Sequence, residues 1–297
     1  MTVNVLMSTY NGERYLHQQI ESILRQEDVE VVLTVRDDGS TDKTRAILDE
    51  YSAQGLLTWY SGKNLGPARS FLQLLHDAAP ADFYAFADQD DVWKPEKLRM
   101  AVEQIKEFHG VPAMYFGQTC LTDEFLSPLP EQIPISPLLT YGESLVYQFV
   151  GGCTMVLNNS LRDKVVKYTP RHLYMHDVWI YCVCLAVGGR VVFDPHSYIY
   201  YRQHGHNVIG QGDKVTEWKR SFHRLITKEQ ARFKTAQELL QGYSEDMTAE
   251  NRRLTEDFVR AKNGFLTRLR LMYDKRLATS SPATTRKFRL ALLFNTF

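Results

Sequence analysis

A regular alternation of strand-like and helix-like segments constrains the first half of this chain more than any other feature. Runs of β-branched and aromatic residues predict strands over residues 3–8, 29–36, 56–60, 82–87 and 113–119. A 3.6-residue apolar period predicts helices between them, including one over 96–108. Successive strand and helix units of this kind fold as a parallel sheet flanked by helices. We therefore predict an α/β fold with a mostly parallel central sheet.

Polar residues follow each of the first four predicted strands. Their sequences are STYNGE from Ser8, RDDGS from Arg36, GKNLG from Gly62 and DQDD from Asp88. Ligands of open α/β sheets bind at the carboxyl ends of the strands, so we expect these four loops to converge on one crevice. The chain has neither the GxGxxG nor the GxxxxGK[ST] pattern, which argues against a dinucleotide site and a phosphate loop.

The acidic residues of these loops suit a nucleoside diphosphate ligand. Asp38 can accept a hydrogen bond from a base N–H, and Asp88 can accept from ribose hydroxyls. Asp90 can reach a diphosphate only through a hard, oxygen-seeking divalent cation. The crevice also carries Gln89, and further phosphate contacts are expected from Lys63 and Arg69.

Ordinary structural roles compete with these assignments. Asp37 or Asp38, ahead of Gly39, suits the chemistry of a turn. Asp91 precedes the helical sequence VWKPEKL, and we interpret it as an acid at the helix N-terminus, where the helix dipole stabilises it.

Two later segments carry candidate catalytic groups. YMHDVW, from Tyr174, puts Asp177 at the start of an apolar helix, where it is either a helix cap or a partly desolvated general base. YRQHGHNVIG, from Tyr201, follows a predicted strand and carries two histidines. An imidazole folding back onto a metal at Asp90 would complete a cation site, and we choose His204 because it is nearest the strand end.

The charge of the whole chain is balanced, but its C-terminal part is basic. Lys+Arg and Asp+Glu number 35 each, whereas residues 260–297 hold nine Lys or Arg and one acid, Asp274. A basic amphipathic stretch fits an anionic membrane surface. Packing on the rest of the chain, or on a second subunit as in a homodimer, explains it equally well. We expect no nucleic-acid partner, because no aromatic stacking platform accompanies the basic run.

Cysteines and hydropathy favour a cytoplasmic protein. The four cysteines lack metal-ligand spacing and are expected to be reduced. The N-terminus has no signal-peptide pattern, and no apolar run is long enough to span a membrane. Residues 127–137 hold four prolines and are predicted to form a surface loop or lid.

These motifs together resemble family 2 glycosyltransferases of the GT-A fold, which are inverting, metal-dependent enzymes that use nucleotide sugars. The matching segments, across residues 3–210, are STYNGERYL, RDDGSTD, NLGPARSF, ADQDDVWKPEKL, GGCTM, HDVW and YRQHGHNVIG. FADQDDVW, MHDVW and YRQHGHNV resemble, more narrowly, rhamnosyltransferases of bacterial cell-wall polysaccharides. That likeness implies dTDP-β-L-rhamnose as donor and a lipid-linked saccharide, carried on undecaprenyl, as acceptor.

The resemblance also implies roles for individual residues. Asp177 is the base, and Asp90 with His204 holds Mg²⁺ or Mn²⁺. The nucleotide sugar contacts Thr9, Tyr10, Asn11, Asp38, Lys63, Arg69, Asp88 and Gln89. The acceptor contacts Gly152, His176 and Trp179, although many relatives have Glu-Asp where this chain has His176-Asp177, which leaves the role of His176 open. His206 is a less supported metal ligand, because some relatives carry Asn at that position.

The implied organisation is a catalytic domain followed by a helical extension. Residues 1–212 form the catalytic domain, with a nucleotide-sugar half at 1–110 and an acceptor half at 111–212. Residues 213–297 form the extension, where the sequence pattern is entirely helical. Alternatives from other classes are a nucleotidyltransferase, a metal phosphohydrolase and a noncatalytic sugar-nucleotide binding module.

Overall fold

The computed structural model describes residues 1–130, 136–204 and 231–297, and its core is a mixed eight-stranded sheet. The strands are β1 Thr2–Thr9, β2 Glu30–Asp37, β3 Thr58–Ser61, β4 Phe83–Ala87, β5 Val92–Trp93, β6 Ala113–Thr122, β7 Val156–Asn158 and β8 Arg190–Arg202. Their order across the sheet is β3-β2-β1-β4-β7-β6-β8-β5. The neighbours β1, β2, β3 and β4 pair in parallel, as do β6 and β8. β7 and β5 pair with their neighbours antiparallel.

Helices cover both faces of the sheet. They are α1 Leu16–Leu24, α2 Thr44–Ala53, α3 Pro67–Asp77, α4 Lys97–Ile105, α5 Tyr141–Val146, α6 Asn159–Val166, α7 His176–Ala186, α8 at 231–243, α9 Ala249–Arg260, α10 Phe265–Met272 and α11 Pro282–Phe294. Short 3₁₀ turns lie at Gly152–Thr154 and Lys275–Leu277. Among the described residues, no helix is both long and apolar enough to cross a bilayer.

The alternating side chains of the central strands divide the core into two layers. In β1, Leu6 faces one layer and Val5 and Met7 face the other, and β4 alternates in the same way. One layer packs against α1, α2 and α4, and the second packs against α3, α5, α6, α7 and the C-terminal helices. The predicted α/β class is confirmed. The sequences RVVFD and SYIYYR both lie in the single strand β8.

The C-terminal helices share a hydrophobic core with the central sheet and the helices on one of its faces. Tyr243, Phe258 and Leu292 belong to the same buried cluster as Phe86 in β4. Polar contacts reinforce this packing, among them a hydrogen bond of 2.5 Å between the hydroxyls of Tyr141 in α5 and Thr255 in α9. The C-terminal region therefore packs on the rest of the chain through one of its faces. The boundary predicted at residue 212 lies outside the described residues.

Candidate active site

The loops after β1, β2 and β4 meet at one edge of the sheet. The Gln89 side chain joins two of them, accepting from the Tyr10 N–H at 2.9 Å and donating to the Tyr10 carbonyl at 3.1 Å. Asn11, at φ +49°, joins the β1 and β2 loops, since its N–H donates to Ser40 Oγ and its Oδ1 accepts from the Thr41 N–H, both at 2.9 Å. The structure thus brings these three of the four predicted loops together, at the place where the crevice was predicted.

The two aspartates at the end of β2 shape the backbone of the crevice. Asp37 accepts hydrogen bonds from the Ser40 N–H at 3.1 Å and from Arg45 Nε at 2.8 Å. It therefore stabilises the turn around Gly39, which is the structural role considered for it from the sequence. Asp38 is buried, its Oδ2 accepts from the Leu65 and Gly66 N–H groups, and its Oδ1 contacts the Arg36 guanidinium. Asp38 thus fixes the loop after β3, and its contact with a nucleotide base stays a prediction.

The other residues predicted to hold the nucleotide differ in exposure. Thr9 is buried, whereas Tyr10 is 49% exposed and Lys63 is exposed. Arg69 donates a hydrogen bond of 2.8 Å to the carbonyl oxygen of Arg171, so its phosphate contact stays a prediction.

Asp90 and His204, 114 residues apart in sequence, meet at the floor of the crevice. His204 Nε2 lies 2.7 Å from Asp90 Oδ2, and the His204 ring stacks on Tyr15 with a centroid separation of 5.2 Å. The structure therefore brings together the two residues predicted to bind a metal. His206 lies outside the described residues, as do residues 131–135 of the predicted lid.

Arg202, at the end of β8, organises this floor and was not predicted from the sequence. Its Nε donates to the Asp90 carbonyl at 2.8 Å, and its backbone N–H donates to Asp91 Oδ1 at 3.2 Å. The guanidinium also lies 4.3 Å from the centre of the Tyr15 ring. The only sequence signal for this role was a cation two residues before His204 at the end of a predicted strand.

The position of Asp91 corrects its predicted role at a helix N-terminus. The helix α4 begins at Lys97, six residues later, and Asp91 is buried beneath the crevice. The backbone between Asp91 and α4 forms the short strand β5, which pairs with β8 and turns Asp91 inward.

The electrostatics of the crevice favour a bound cation. Burial, together with the charges of Asp90 and Asp177, raises the pKa of Asp88 to about 7. Three carboxylates are thus close enough to repel one another, and a divalent cation would relieve that repulsion. The carboxylate of Asp90 suits Mg²⁺ or Mn²⁺, and the imidazole of His204 is accepted more readily by a transition metal such as Mn²⁺ than by Mg²⁺.

A second cluster fits such a cation less well. Ligand atoms of Asp88, Asp91 and Cys153 lie within 4.8 Å of one another. Burial, and then the charges of Asp91 and Asp88, raises the pKa of the Cys153 thiol well above its usual value. Hard cations prefer oxygen ligands to a protonated thiol, so Asp90 and His204 are the better pair.

Asp177 has the environment of a general base. Its side chain is held by the Gly152 N–H, 2.9 Å from Oδ2, and by the Val178 N–H, 2.7 Å from Oδ1. The residue is 6% exposed, and burial raises its pKa to about 6 although these hydrogen bonds oppose the shift. A carboxylate with this pKa is ionised at neutral pH and is a stronger base than an exposed aspartate.

His176 and Trp179, predicted to contact the acceptor, both have buried side chains, and their contact with the acceptor stays a prediction. The His176 ring is 3% exposed, lies 4.3 Å from the Phe71 ring, and its pKa is lowered to about 3 by burial, so it is neutral. Trp179, on α7, packs its side chain into the core. Gly152 holds Asp177 and leaves no room for a larger residue, since a Cβ there would lie 2.6 Å from His176 Nε2. Its acceptor contact stays a prediction.

Comparison with known proteins identifies the family. The family model described as Glycosyl transferase family 2 matches residues 4–163. The dTDP-rhamnosyl transferase RfbG of Shigella flexneri is 24% identical over 235 residues, which cover 74% of this chain and 78% of the relative. The putative teichuronic acid biosynthesis glycosyltransferase TuaG of Bacillus subtilis is 28% identical over 165 residues, covering 55% of this chain and 64% of TuaG.

Solved structures share the fold. S. aureus TarS 1–349 in complex with UDP-GlcNAc superposes with a TM-score of 0.56 at 18% identity, covering 100% of this chain and 93% of that chain. The mannosyltransferase PcManGT from Pyrobaculum calidifontis in complex with GDP-Man and Mn²⁺ gives a TM-score of 0.53 at 13% identity, covering 97% and 86%. The fold is therefore GT-A, as predicted. Because the family model spans more than half of its length, this chain belongs to glycosyl transferase family 2.

Proposed function

We propose that this protein is an inverting, metal-dependent rhamnosyltransferase. It moves L-rhamnose from dTDP-β-L-rhamnose to a hydroxyl of a lipid-linked saccharide in the synthesis of a cell-wall or surface polysaccharide. The observation that carries the proposal is the contact between Asp90 and His204 beside Asp88. The pKa of Asp88 is raised by the charges of both Asp90 and the buried Asp177, so the predicted metal ligand and the predicted base lie near the same carboxylate. The name of the Shigella relative supports rhamnose as the sugar.

The residues of the crevice divide the chemistry between them. Asp177 takes the proton of the acceptor hydroxyl as that oxygen attacks the anomeric carbon, and the Gly152 N–H keeps the carboxylate in place. Attack from the side opposite the nucleotide inverts the anomeric centre. Asp90 and His204 would hold Mg²⁺ or Mn²⁺, which when bound supplies charge neutralisation at the departing diphosphate. A separate protonated residue for the leaving group is then unnecessary.

A panel of dTDP-, UDP- and GDP-sugars with Mn²⁺ tests the donor. We expect dTDP-β-L-rhamnose at a hundredfold excess over its Kd to raise Tm by about 5 °C, and mass spectrometry to detect transfer of the sugar with release of dTDP. If only a UDP-sugar raised Tm and was transferred, the donor would be a UDP-sugar and not dTDP-β-L-rhamnose. Formation of dTTP from the dTDP-sugar when pyrophosphate is added would indicate a nucleotidyltransferase, and hydrolysis to dTMP and a sugar phosphate would indicate a phosphohydrolase. Binding without any product would indicate a noncatalytic module.

We also propose that α10 and α11 lie on the anionic inner face of the plasma membrane, where a lipid-linked acceptor would be found. The inward face of α11 packs through Phe288 and Leu292, whereas Leu290 and Phe294 are 55% and 70% exposed. The exposed part of the region also includes Phe265, Leu266, Tyr273, Arg286, Lys287 and Arg289. Apolar side chains flanked by cations match the interface of an anionic bilayer.

Replacing Leu290 and Phe294 together with glutamate should abolish this membrane contact. We expect the wild-type protein to float with phosphatidylglycerol vesicles, and the double variant to lose about tenfold or more of that binding, because apolar burial is lost and charge repulsion is added. Vesicles of phosphatidylcholine and the variant Phe125→Glu, at an exposed site on another loop, are the controls. Equal flotation of both variants would contradict the proposal. A concentration-dependent dimer that the double variant loses would assign the face to a second copy.

A further inference from the structure

The segment that leads into α7 is held by a buried carboxylate of the C-terminal region. Glu238, on α8, has a side chain that is 4% exposed. It accepts hydrogen bonds from the Tyr168 hydroxyl at 2.6 Å and from the Arg171 and His172 N–H groups at 3.0 Å each. The same carboxylate makes one more contact, with His172 Nδ1 at 3.0 Å. One side chain of α8 therefore binds the segment 168–172 through its backbone and its side chains.

The same segment is held from the nucleotide side of the crevice. Arg69, at the start of α3, donates to the Arg171 carbonyl at 2.8 Å, so Arg171 is bound at both its N–H and its carbonyl. The Tyr168 ring packs beside Trp179 and Tyr243, with centroid separations of 6.3 and 6.0 Å. The segment is thus fixed between α3, which belongs to the nucleotide half, and α8, which follows the region matched by the family model.

The start of α7 has no capping side chain at its N-cap position, and the Val178 N–H in its first turn is bonded by Asp177 itself. Its N-cap residue, Met175, makes no side-chain capping hydrogen bond, and the helix begins one residue before Asp177. The first N–H groups of a helix have no partners within the helix, so an uncapped end frays unless the preceding chain is held. Burial alone would raise the pKa of Glu238, but the hydrogen bonds from Tyr168 and from His172 and Arg171 lower it, which keeps the carboxylate charged and its acceptor strength high.

We propose that Glu238 is a positioning residue for the transfer reaction, because it holds the segment 168–172 and so fixes the first turn of α7 from which Asp177 reaches the crevice. The proposal rests on the proposed function for the role of Asp177. It makes the C-terminal region part of the catalytic unit, independently of any membrane contact. Arg69 acts from the opposite side and couples the nucleotide half to the same segment.

The isosteric variant Glu238→Gln tests this role in the full-length protein. Glutamine keeps the volume and one carbonyl oxygen but places an NH₂ group against the N–H groups of Arg171 and His172. We expect the turnover number to fall about ten- to a hundredfold, because small displacements of a catalytic group have effects of this size. Affinity for dTDP with Mn²⁺, measured by calorimetry, should stay within about twofold of wild type, since Glu238 itself contacts none of the residues predicted to bind the nucleotide. Hydrogen exchange of residues 168–178 should accelerate.

Asp246→Asn is the matched control for loss of a carboxylate in the same region. Asp246 binds Lys164 and Lys167 at 2.6 and 2.7 Å, so it also ties the C-terminal region to the domain but does not contact the segment 168–172. We expect wild-type turnover for this control. Equal losses of turnover in both variants would mean that Glu238 only anchors the C-terminal region. Unchanged hydrogen exchange of residues 168–178 in Glu238→Gln would overturn the proposal that Glu238 holds this segment. The exchange experiment needs no sugar donor, so it tests whether Glu238 holds the segment 168–172 even if the proposed function fails.

Discussion

Replacing Asp90 with asparagine should lower kcat/KM for sugar transfer by about 10³-fold and remove its dependence on Mn²⁺, because a metal at the leaving group is worth several kcal/mol. Asparagine keeps the size of the side chain and can still hydrogen-bond His204, so the change isolates the charge. The Mn²⁺-dependent increase in Tm in the presence of dTDP should disappear as well. Steady-state kinetics over a range of Mn²⁺ concentrations, together with thermal melts, measure both effects.

Two companion variants define the metal effect. Asp28→Asn removes a carboxylate that is 74% exposed and pairs with Arg99, and it should behave as wild type. His204→Ala leaves Asp90 in place, so we expect a higher Mn²⁺ requirement that excess metal partly restores. If Asp90→Asn retained its Mn²⁺ response and turned over within tenfold of wild type, the metal would have to lie elsewhere, and the cluster of Asp88, Asp91 and Cys153 would become the next candidate.

The first half of the fold could be predicted because its signals are local. The strands β1, β2 and β4 combine β-branched or aromatic residues with polar loops at their ends, and the helices between them keep a clear apolar period. The antiparallel strands β5 and β7 hold only two and three residues, too few for a period to appear. Their existence depends on pairing with distant strands, and pairing of that kind leaves no local mark in the sequence.

Site residues that lie just after strands could be predicted from the sequence. Those whose surroundings depend on burial or on distant parts of the chain could not. Asp90 and His204 both lie just after strands, so the rule for open α/β sheets brought them together. The burial of His176 and Trp179 was not predicted although a signal was present, since α7 is apolar on all sides and ten of its eleven residues are buried. Arg202 was missed because three of its partners, Asp90, Asp91 and Tyr15, come from two other loops.

Replacing Asp177 with asparagine should lower kcat by about 10²- to 10⁴-fold, the range expected for loss of a positioned general base. Asparagine can keep one of the two hydrogen bonds from Gly152 and Val178, so binding of dTDP with Mn²⁺ should stay near wild type. The wild-type rate should rise with pH through about 6, where Asp177 ionises, and then level off. The variant should lack that rise. Turnover within threefold of wild type, or an unchanged pH profile, would remove Asp177 from the role of base.

The same substitution has a signature in stability that does not depend on catalysis. The pKa of Asp177 in the fold, about 6, is above its ordinary value of 3.8, so the folded state binds the proton more tightly and wild-type stability falls as pH rises through that window. Between pH 5 and pH 8 the wild type should lose about 1 to 2 kcal/mol relative to Asp177→Asn, which has no proton to release. Urea unfolding of both proteins at the two pH values measures this difference. A difference that stays constant with pH would mean that Asp177 is already ionised at pH 5, and its strength as a base would then be that of an ordinary exposed aspartate.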